Sequence, residues 1–519
     1  MPKILAFAPL PPFLASAFIA FGILSGRLKE ERGEKTTTRV ALSAAILSLL
    51  LILAAFAANC LGLLPKPVFL GTWINSGTYH IDMVFTLDSL GLAYAGLSVL
   101  FAVLVLRFSV NYMHRETGFH RFFLVLSLFT GAMLVLSTAG NAALCFVGWE
   151  LAGVSSYLLI AYYYDRPTAT ANATQAIVTN RIGDVSFILG IALSFHWTGG
   201  INWTDIIGPN ARLEEWQAGV LSSCFLLAAM AKSALVPFSP WLARAMEGPT
   251  PSSAIFYGSV MIHAGVYLVL RLQPLFEQAP LAMDLMAMLG LATALYGFLS
   301  GLAQTDVKSA LVFSISGQLG LMFFAAGMGY WRLALWHLCA HAVFRGYQFL
   351  TAPSLMHDVI GLPQRPVRSW LGRWRILYVA ALQRFWLENL ADRLLVKPVQ
   401  GLSADFQYFD RKLVNPIFGQ PSASVSVPDD LAQAENKRLM EQTGSDPDVL
   451  RVSGLPGFAV SACANALHWF EEKLVLQSVG QNMIVMGRRL GTRLNRIEDL
   501  LNQPRYLVVF ILATLLAVF

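Results

Sequence analysis

Apolar residues fall in runs of roughly 20, long enough for an α-helix to cross a hydrocarbon layer of about 30 Å. The runs predict membrane-spanning helices over 4–25, 40–62, 85–106, 121–139, 141–163, 173–196, 217–237, 249–270, 281–303, 309–328 and 331–351, with a last one over 504–519. That makes about a dozen crossings. From about Thr351 to Gln503 the pattern changes. Residues 371–418 alternate apolar and charged positions at helical spacing (Trp370, Leu377, Leu382, Trp386, Leu390, Leu394, Leu395), and 465–502 repeat the habit. Both stretches are too charged to span and are expected to lie along the membrane surface or against partner subunits. Residues 419–457, rich in Ser, Pro and Asp, read as a polar linker.

Composition supports the membrane reading. Of 519 residues, 56% are apolar and 13% charged. An ordinary soluble domain has about 45–50% and about 25%, so the excess apolar surface must face something other than water. No basic, aromatic-interleaved patch points to nucleic acid. Five cysteines (Cys60, Cys145, Cys224, Cys339, Cys463) lie far apart. Four sit in or beside apolar runs and read as small core residues rather than disulfides or metal ligands. The first apolar run has no small-residue cleavage site after it, so it is expected to be a retained helix.

The net charge of +6 matters less than its placement. Connections 27–39 and 107–121 are rich in Arg and Lys, whereas 63–84 and 197–216 carry few. Counting alternately, Arg166, Arg244, Lys308, Arg365, Arg368, Arg373 and Arg375 fall on the basic side with the first pair. One parity satisfies every connection, so the N-terminus is expected outside and residues 352–503 in the cytoplasm, with an inner-membrane location.

The most informative residues are ionisable groups inside apolar helices, where each costs about 2.5–3.5 kcal/mol or more. Glu150 lies within NAALCFVGWELAGVSSYLLIAYY and Lys232 within LSSCFLLAAMAKSALVPF. His263 sits in the eighth span. His337, His341 and Arg345 follow at i, i+4 and i+8 in the eleventh, which stacks them along a stripe about 12 Å long. Burial favours a neutral lysine and a nearby carboxylate favours a charged one, so a changing Glu–Lys contact would control whether Lys232 keeps its proton. Histidines titrate near neutral pH and pass protons between two ring nitrogens. Pro237 and Pro240 should interrupt the seventh helix beside Lys232, freeing backbone groups to line a hydrated cavity. Plainer readings stand beside these. Glu150 and Lys232 could form a static ion pair, His263 a satisfied interhelical hydrogen bond, and Arg345 a side chain that snorkels to the basic side. Arg181 and Asp184, three apart in the sixth helix, read as a local structural ion pair.

These residues lie in segments that resemble the antiporter-like subunits of respiratory complex I, especially subunit L. The likeness is carried by VGWELAGVSSYLLIAYYYDRPTATANATQAIVTNRIGD, AKSALVPFSPWLARAMEGPTPSSA, GLAQTDVKSALVFSISGQLG and HLCAHAVFRGYQFL, with FTLDSL and the stretch from Tyr112 to Phe123. It covers roughly residues 80–355. The corresponding subunit of multisubunit sodium/proton antiporters and the membrane subunit of bacterial inorganic-carbon accumulation complexes are similar too. The resemblance implies two inverted five-helix repeats with broken helices and proton translocation along a central polar axis. It implies that Glu150 is the essential glutamate, Lys232 the channel lysine, and His337 and His341 the central histidines of the second repeat. Arg345 stands where the family usually has a lysine, Tyr257 where it has a histidine, and Asp184 and Lys308 fall in matching motifs with lesser roles. Nothing after Leu350 matches the helices that complete the second repeat, so that repeat is expected to be truncated.

The expected architecture is an all-α polytopic membrane protein: N-terminal spans (1–80), an antiporter-like core (81–355), an amphipathic cytoplasmic region with linker (356–503) and a final span (504–519). The expected function is proton movement within a complex-I-like assembly. Catalytic groups would be Glu150, Lys232, His337 and His341. Secondary groups would be His263, Arg345, Lys308, Asp184, Arg181 and Tyr257. No cysteine cluster or nucleotide-binding glycine loop suggests a cofactor or metal of its own, so redox chemistry would belong to partners. Other membrane subunits, and soluble redox subunits, are the expected partners. One alternative is a proton-driven inorganic-carbon uptake subunit working with a soluble zinc-dependent hydration partner. Another is a scaffold that does not conduct.

Overall fold

The structure is a computed structural model. It describes residues 2–409, apart from 64–66, 77–78, 209–212, 305–306 and 353–373. Residues 1–399 form one compact unit and 400–519 a second, of which only the helical stretch to Phe409 is described. The linker 419–457, the amphipathic stretch 465–502 and the last span 504–519 lie outside the described residues.

Eleven helical segments match the first eleven predicted spans. They are α1 (Leu10–Leu24), α2 (Glu34–Cys60), α3 (Ser89–Tyr112), α4 (Phe119–Thr138), α5 (Ala142–Ile160), α6 (Pro167–Thr198), α7 (Glu215–Lys232), α8 (Thr250–Arg271, interrupted), α9 (Pro280–Ala303), α10 (Val307–Gly327) and α11 (Trp331–Thr351). Eight described helices are long and apolar enough to cross a membrane. The other three are α1, which is only 15 residues long, and α7 and α11, whose apolar pattern is diluted by Lys232 and by His337, His341 and Arg345. The first span begins later than expected. A short turn over Pro2–Ala6 stops before Pro9, which has no N–H to continue it, and α1 restarts at Leu10.

Capping fixes several starts. Asp88 accepts from the backbone N–H of Gly91 at 2.9 Å, and Asn141 from that of Leu144 at 2.7 Å. Each satisfies a donor that the first turn leaves over. The core sits around α4 and α8, whose most apolar stretches are 89% and 100% buried; that of α2 is 28% buried and faces outward.

One element departs from an all-helical reading. Residues in the predicted loop 63–84 form an antiparallel hairpin, β1 (Val68–Ser76) with β2 (Tyr79–Phe85). It is tied to the α4–α5 connection by the N–H of Gly140 on the carbonyl of Val84 (2.7 Å) and by Asn141 Nδ2 on that of Asp82 (2.7 Å). Trp203 in the 197–216 connection donates to the carbonyl of Ala139 at 2.7 Å. The two weakly basic connections therefore meet at one end. At the other, His114 contacts Glu34 and Arg121 donates to the carbonyl of Tyr162, joining basic connections.

The amphipathic stretch after α11 is helical from Arg375 to Phe409 but not continuous. Arg384, Phe385 and Trp386 take positive φ of 52°, 55° and 52° and break it. Beyond the break, Glu388 pairs with Arg244, Asp392 lies 3.5 Å from the same guanidinium, and Gln175 donates to Asp392 at 2.8 Å.

Candidate functional site: two broken helices and their charges

The site is built on interruptions in α7 and α8. After Lys232 the chain leaves helical geometry, with Ala234 at φ 52°, and resumes as a helix at Pro240–Arg244. Neither Pro237 nor Pro240 can donate a backbone hydrogen bond, which explains why the helix cannot run through. The exposed backbone groups find side chains: Trp241 Nε1 donates to Ala231 O at 2.9 Å, and the N–H of Val236 to Thr293 Oγ1 at 3.0 Å. In α8 a wide turn over Ala254–Ser259 ends at Val260 (φ −120°, ψ −73°), and a tight turn over Met261–His263 follows. Tyr94 donates to Val260 O at 2.8 Å and Ser233 Oγ to Ile262 O at 2.7 Å. The two breaks touch because residue 265 is glycine. A Cβ there would lie 2.3 Å from both Ala229 O and Ser233 Oγ.

Lys232 ends α7 with only 1% of its surface exposed. Its ammonium donates to the carbonyl of Trp149 at 2.9 Å and sits 5.0 Å from that indole's centroid. Trp149 also donates from Nε1 to Asp184 Oδ1 at 2.8 Å. The expected direct contact between Glu150 and Lys232 is not among the described ion pairs. Arg181 intervenes: it pairs with Glu150 and, at 3.0 Å, with Asp184. The local Arg181–Asp184 pair is therefore present, but Arg181 is also the bridge between two carboxylates on different helices. Its spacing in the sequence shows only the local half.

A second cluster lies on α8, α10 and α11. His263 is fully buried, and its Nε2 is 2.9 Å from His341 Nδ1. Arg345 donates from Nε to His341 Nε2 at 3.3 Å, from Nη1 to Gln348 at 2.7 Å, and from Nη2 to Ser314 Oγ. Arg345 is buried and does not snorkel. An arginine has no acceptor, so His341 Nε2 must accept; His341 Nδ1 then carries the hydrogen and donates to His263 Nε2. His337 shares the stripe with its ring 6.0 Å from that of His341, but its hydrogen bond goes to Gln318 at 2.8 Å.

Two secondary residues lie apart from both clusters. Lys308 donates to Thr250 Oγ1 at 3.0 Å, at the start of α8, where Tyr112 also donates. The Tyr257 hydroxyl shares a 3.0 Å hydrogen bond with Ser156, tying α5 to the wide turn of α8. A further ion pair escaped the sequence reading. Arg271, at the end of α8, binds Asp88 at the start of α3 and Tyr267 at 2.9 Å, and Tyr267 donates to Ser137 O at 2.6 Å. FTLDSL points to Asp88, but nothing in the sequence pairs it with a residue so distant. Among the described residues no group of three or more His, Cys, Asp or Glu side chains is placed to hold a metal ion.

All ten of the predicted site residues fall within residues 139–365, the stretch matched by the family model described as NADH:quinone oxidoreductase/Mrp antiporter, TM. Residues 73–123 match a second model, NADH-Ubiquinone oxidoreductase (complex I), chain 5 N-terminus. The chain belongs to this antiporter-like family. NADH-ubiquinone oxidoreductase chain 5 of Allomyces macrogynus is 38% identical over 354 residues, covering 68% of this chain and 54% of that one. The chloroplastic NAD(P)H-quinone oxidoreductase subunit 5 of Chaetosphaeridium globosum is 37% identical over 360 residues, 68% of this chain and 53% of that one. The chain thus spans about half the length of these relatives. Among solved structures, the Mrp complex of Dietzia sp. DQ12-45-1b has a chain that aligns with a TM-score of 0.59 at 25% identity, over 67% of this chain and 37% of that one. With its apolar helices, the family membership makes this a multi-pass membrane protein. By their names, the antiporter-like relatives are individual chains of multisubunit membrane assemblies.

Proposed function

We propose that this chain translocates protons across the membrane as one subunit of an assembly like the quinone oxidoreductases in which its relatives are named. The observation that carries the reading is Lys232. It is an ammonium buried to 1% exposure, with one carbonyl as acceptor and two Arg181-bridged carboxylates nearby. A static pair would place a carboxylate directly on the lysine. Here the compensating charge is held one residue away, by a guanidinium that pairs with both carboxylates at once. Movement of Arg181 between Glu150 and Asp184 changes the field at Lys232, and with it the hold of Lys232 on its proton. The second cluster supplies the onward route, with His263 and His341 as the exchanging groups and Arg345, which keeps its proton, as a gate. His337 stands at the head of the same stripe. Asp184 acts through Arg181, and Tyr257 and Lys308 hold the two ends of the wide turn.

The antiporter-like core is assigned to residues 81–355. The basic connections face the cytoplasm, and the N-terminus lies outside, in a cell inner membrane. Partners are other membrane subunits, with redox subunits supplying the energy. The relatives named as oxidoreductase chains favour this reading over inorganic-carbon uptake.

The test is proton flux in proteoliposomes holding the complex purified through this chain. Lys232→Ala and Glu150→Gln should each abolish flux while assembly on native gels stays normal. Wild-type flux in either variant overturns the reading.

A further inference from the structure

Between α5, α6 and the α8 break lies a small cavity lined by Gly153, Tyr157, Asn180, Arg181, Lys232 and Met261, among others, with room for water centres of about 10 Å³. A site of that size holds one water, provided two to four polar partners converge on it. The lining supplies them. Lys232 has three N–H donors, of which the carbonyl of Trp149 takes one. Arg181 Nε makes no hydrogen bond, and Nη2 is held to Asp184 by charge alone. Asn180 is 8% exposed, and its Nδ2 donates to the carbonyl of Ala176 at 2.8 Å. Because a carbonyl can only accept, this bond fixes which way the amide lies and leaves Oδ1 buried with no protein partner. The absence of a side chain at 153 keeps the space open. A Cβ there would sit 3.1 Å from Lys232 Nζ and 3.7 Å from Arg181 Nη2.

We propose that the cavity is the site of one ordered water that accepts from Lys232 and Arg181 and donates to Asn180 Oδ1. Asn180 is then a positioning residue: through the water it gives Lys232 a second acceptor and fixes the direction in which the ammonium presents its hydrogens. The inference rests on the proton-translocating reading of Lys232 and deepens it. It accounts for two sets of orphaned polar atoms with a single molecule, whereas leaving each buried and unpaired would be costly.

The test uses the complex purified through the full chain, in proteoliposomes, with three variants. Asn180→Leu keeps the volume and removes the acceptor, Asn180→Ser keeps a neutral acceptor oxygen, and Gly153→Ala puts a methyl group into the cavity. Asn180→Leu and Gly153→Ala should lower flux about tenfold, the factor that one lost hydrogen bond carries, and should shift its pH profile. Asn180→Ser should lose less flux than Asn180→Leu and keep the wild-type pH profile, because its neutral hydroxyl oxygen can still receive a water hydrogen. If Asn180→Leu does not assemble, Gly153→Ala decides by the same criterion. Wild-type flux and pH profile in Asn180→Leu or in Gly153→Ala, while Lys232→Ala is inactive, overturn the water site and leave proton translocation standing. If Lys232→Ala is also active, both fall.

Discussion

Ser233 Oγ donates to the backbone carbonyl of Ile262 across 2.7 Å, so the residue after Lys232 holds the residue before His263. This one bond joins the breaks of α7 and α8, and it brings the lysine and histidine clusters into a common frame without a direct contact between them.

Ser233→Ala removes the donor and leaves Ile262 O unsatisfied in an apolar interior. The cost should be about 1–3 kcal/mol. Thermal unfolding of the purified complex, followed by loss of this chain from the native-gel band, should shift downward, with flux reduced but measurable. Gly265→Ala should be worse and should prevent assembly, because its methyl group collides with Ala229 O and with Ser233 itself.

Arg181→Ala frees both Glu150 and Asp184 and leaves two carboxylates without their shared cation. Flux should be abolished, as in Glu150→Gln. In a double-mutant cycle on the thermal stability of the assembled complex, Glu150→Gln and Arg181→Gln should couple by about 0.5–3 kcal/mol, the range for residues in one ion-pair network. Additive effects on stability would show that Arg181 does not act through Glu150.

His263→Ala and His341→Ala each break the same hydrogen-bonded chain, so the double variant should be no slower than the slower single one. Arg345→Lys retains the charge but loses the planar fork that engages His341, Gln348 and Ser314 together. Its flux should become less steeply dependent on pH, measured by dye quenching across a range of external pH values.

Asp88 and Arg271 call for a different outcome. Removing one partner of a buried ion pair costs about 3–5 kcal/mol. Asp88 keeps a side-chain exposure of 28% against 6% for Arg271, so the cost should sit at the low end. Asp88→Asn should lower the yield of assembled complex, measured on native gels, while flux per assembled complex stays near wild type.

Much of this was legible in the sequence because lipid imposes a simple rule on it. The apolar runs mark the helices, the Arg and Lys counts sort the connections, and the geometry brings those connections together at two ends as the charges suggest. Glu150, Lys232 and His341 stand out because a charge or an imidazole in such a run must have a reason to be there. What could not be read were partnerships set by packing. Arg181 and Asp184 look self-sufficient at a spacing of three, and only the placement of α5 beside α6 gives Arg181 its second carboxylate. His263 finds His341 across 78 positions, and Arg271 finds Asp88 across 183. The hairpin over Val68–Phe85 does not show in the charges of its connection, and its signal is the Val, Phe, Trp, Ile and Tyr content, which favours strands.

The hydrogens that Arg345 imposes on the two imidazoles give that stretch a memory. In the proposed route, a proton entering at His341 Nε2 and leaving from His263 would move the hydrogen of each ring to its other nitrogen, so that a His341 N–H would then face a guanidinium that can only donate. The arginine would be repelled until the rings turn and restore the first arrangement. If the proposed translocation uses this stretch, each passage would close behind itself for the time two buried rings take to reorient, and protons would cross singly, with a pause between them, even under a steep gradient.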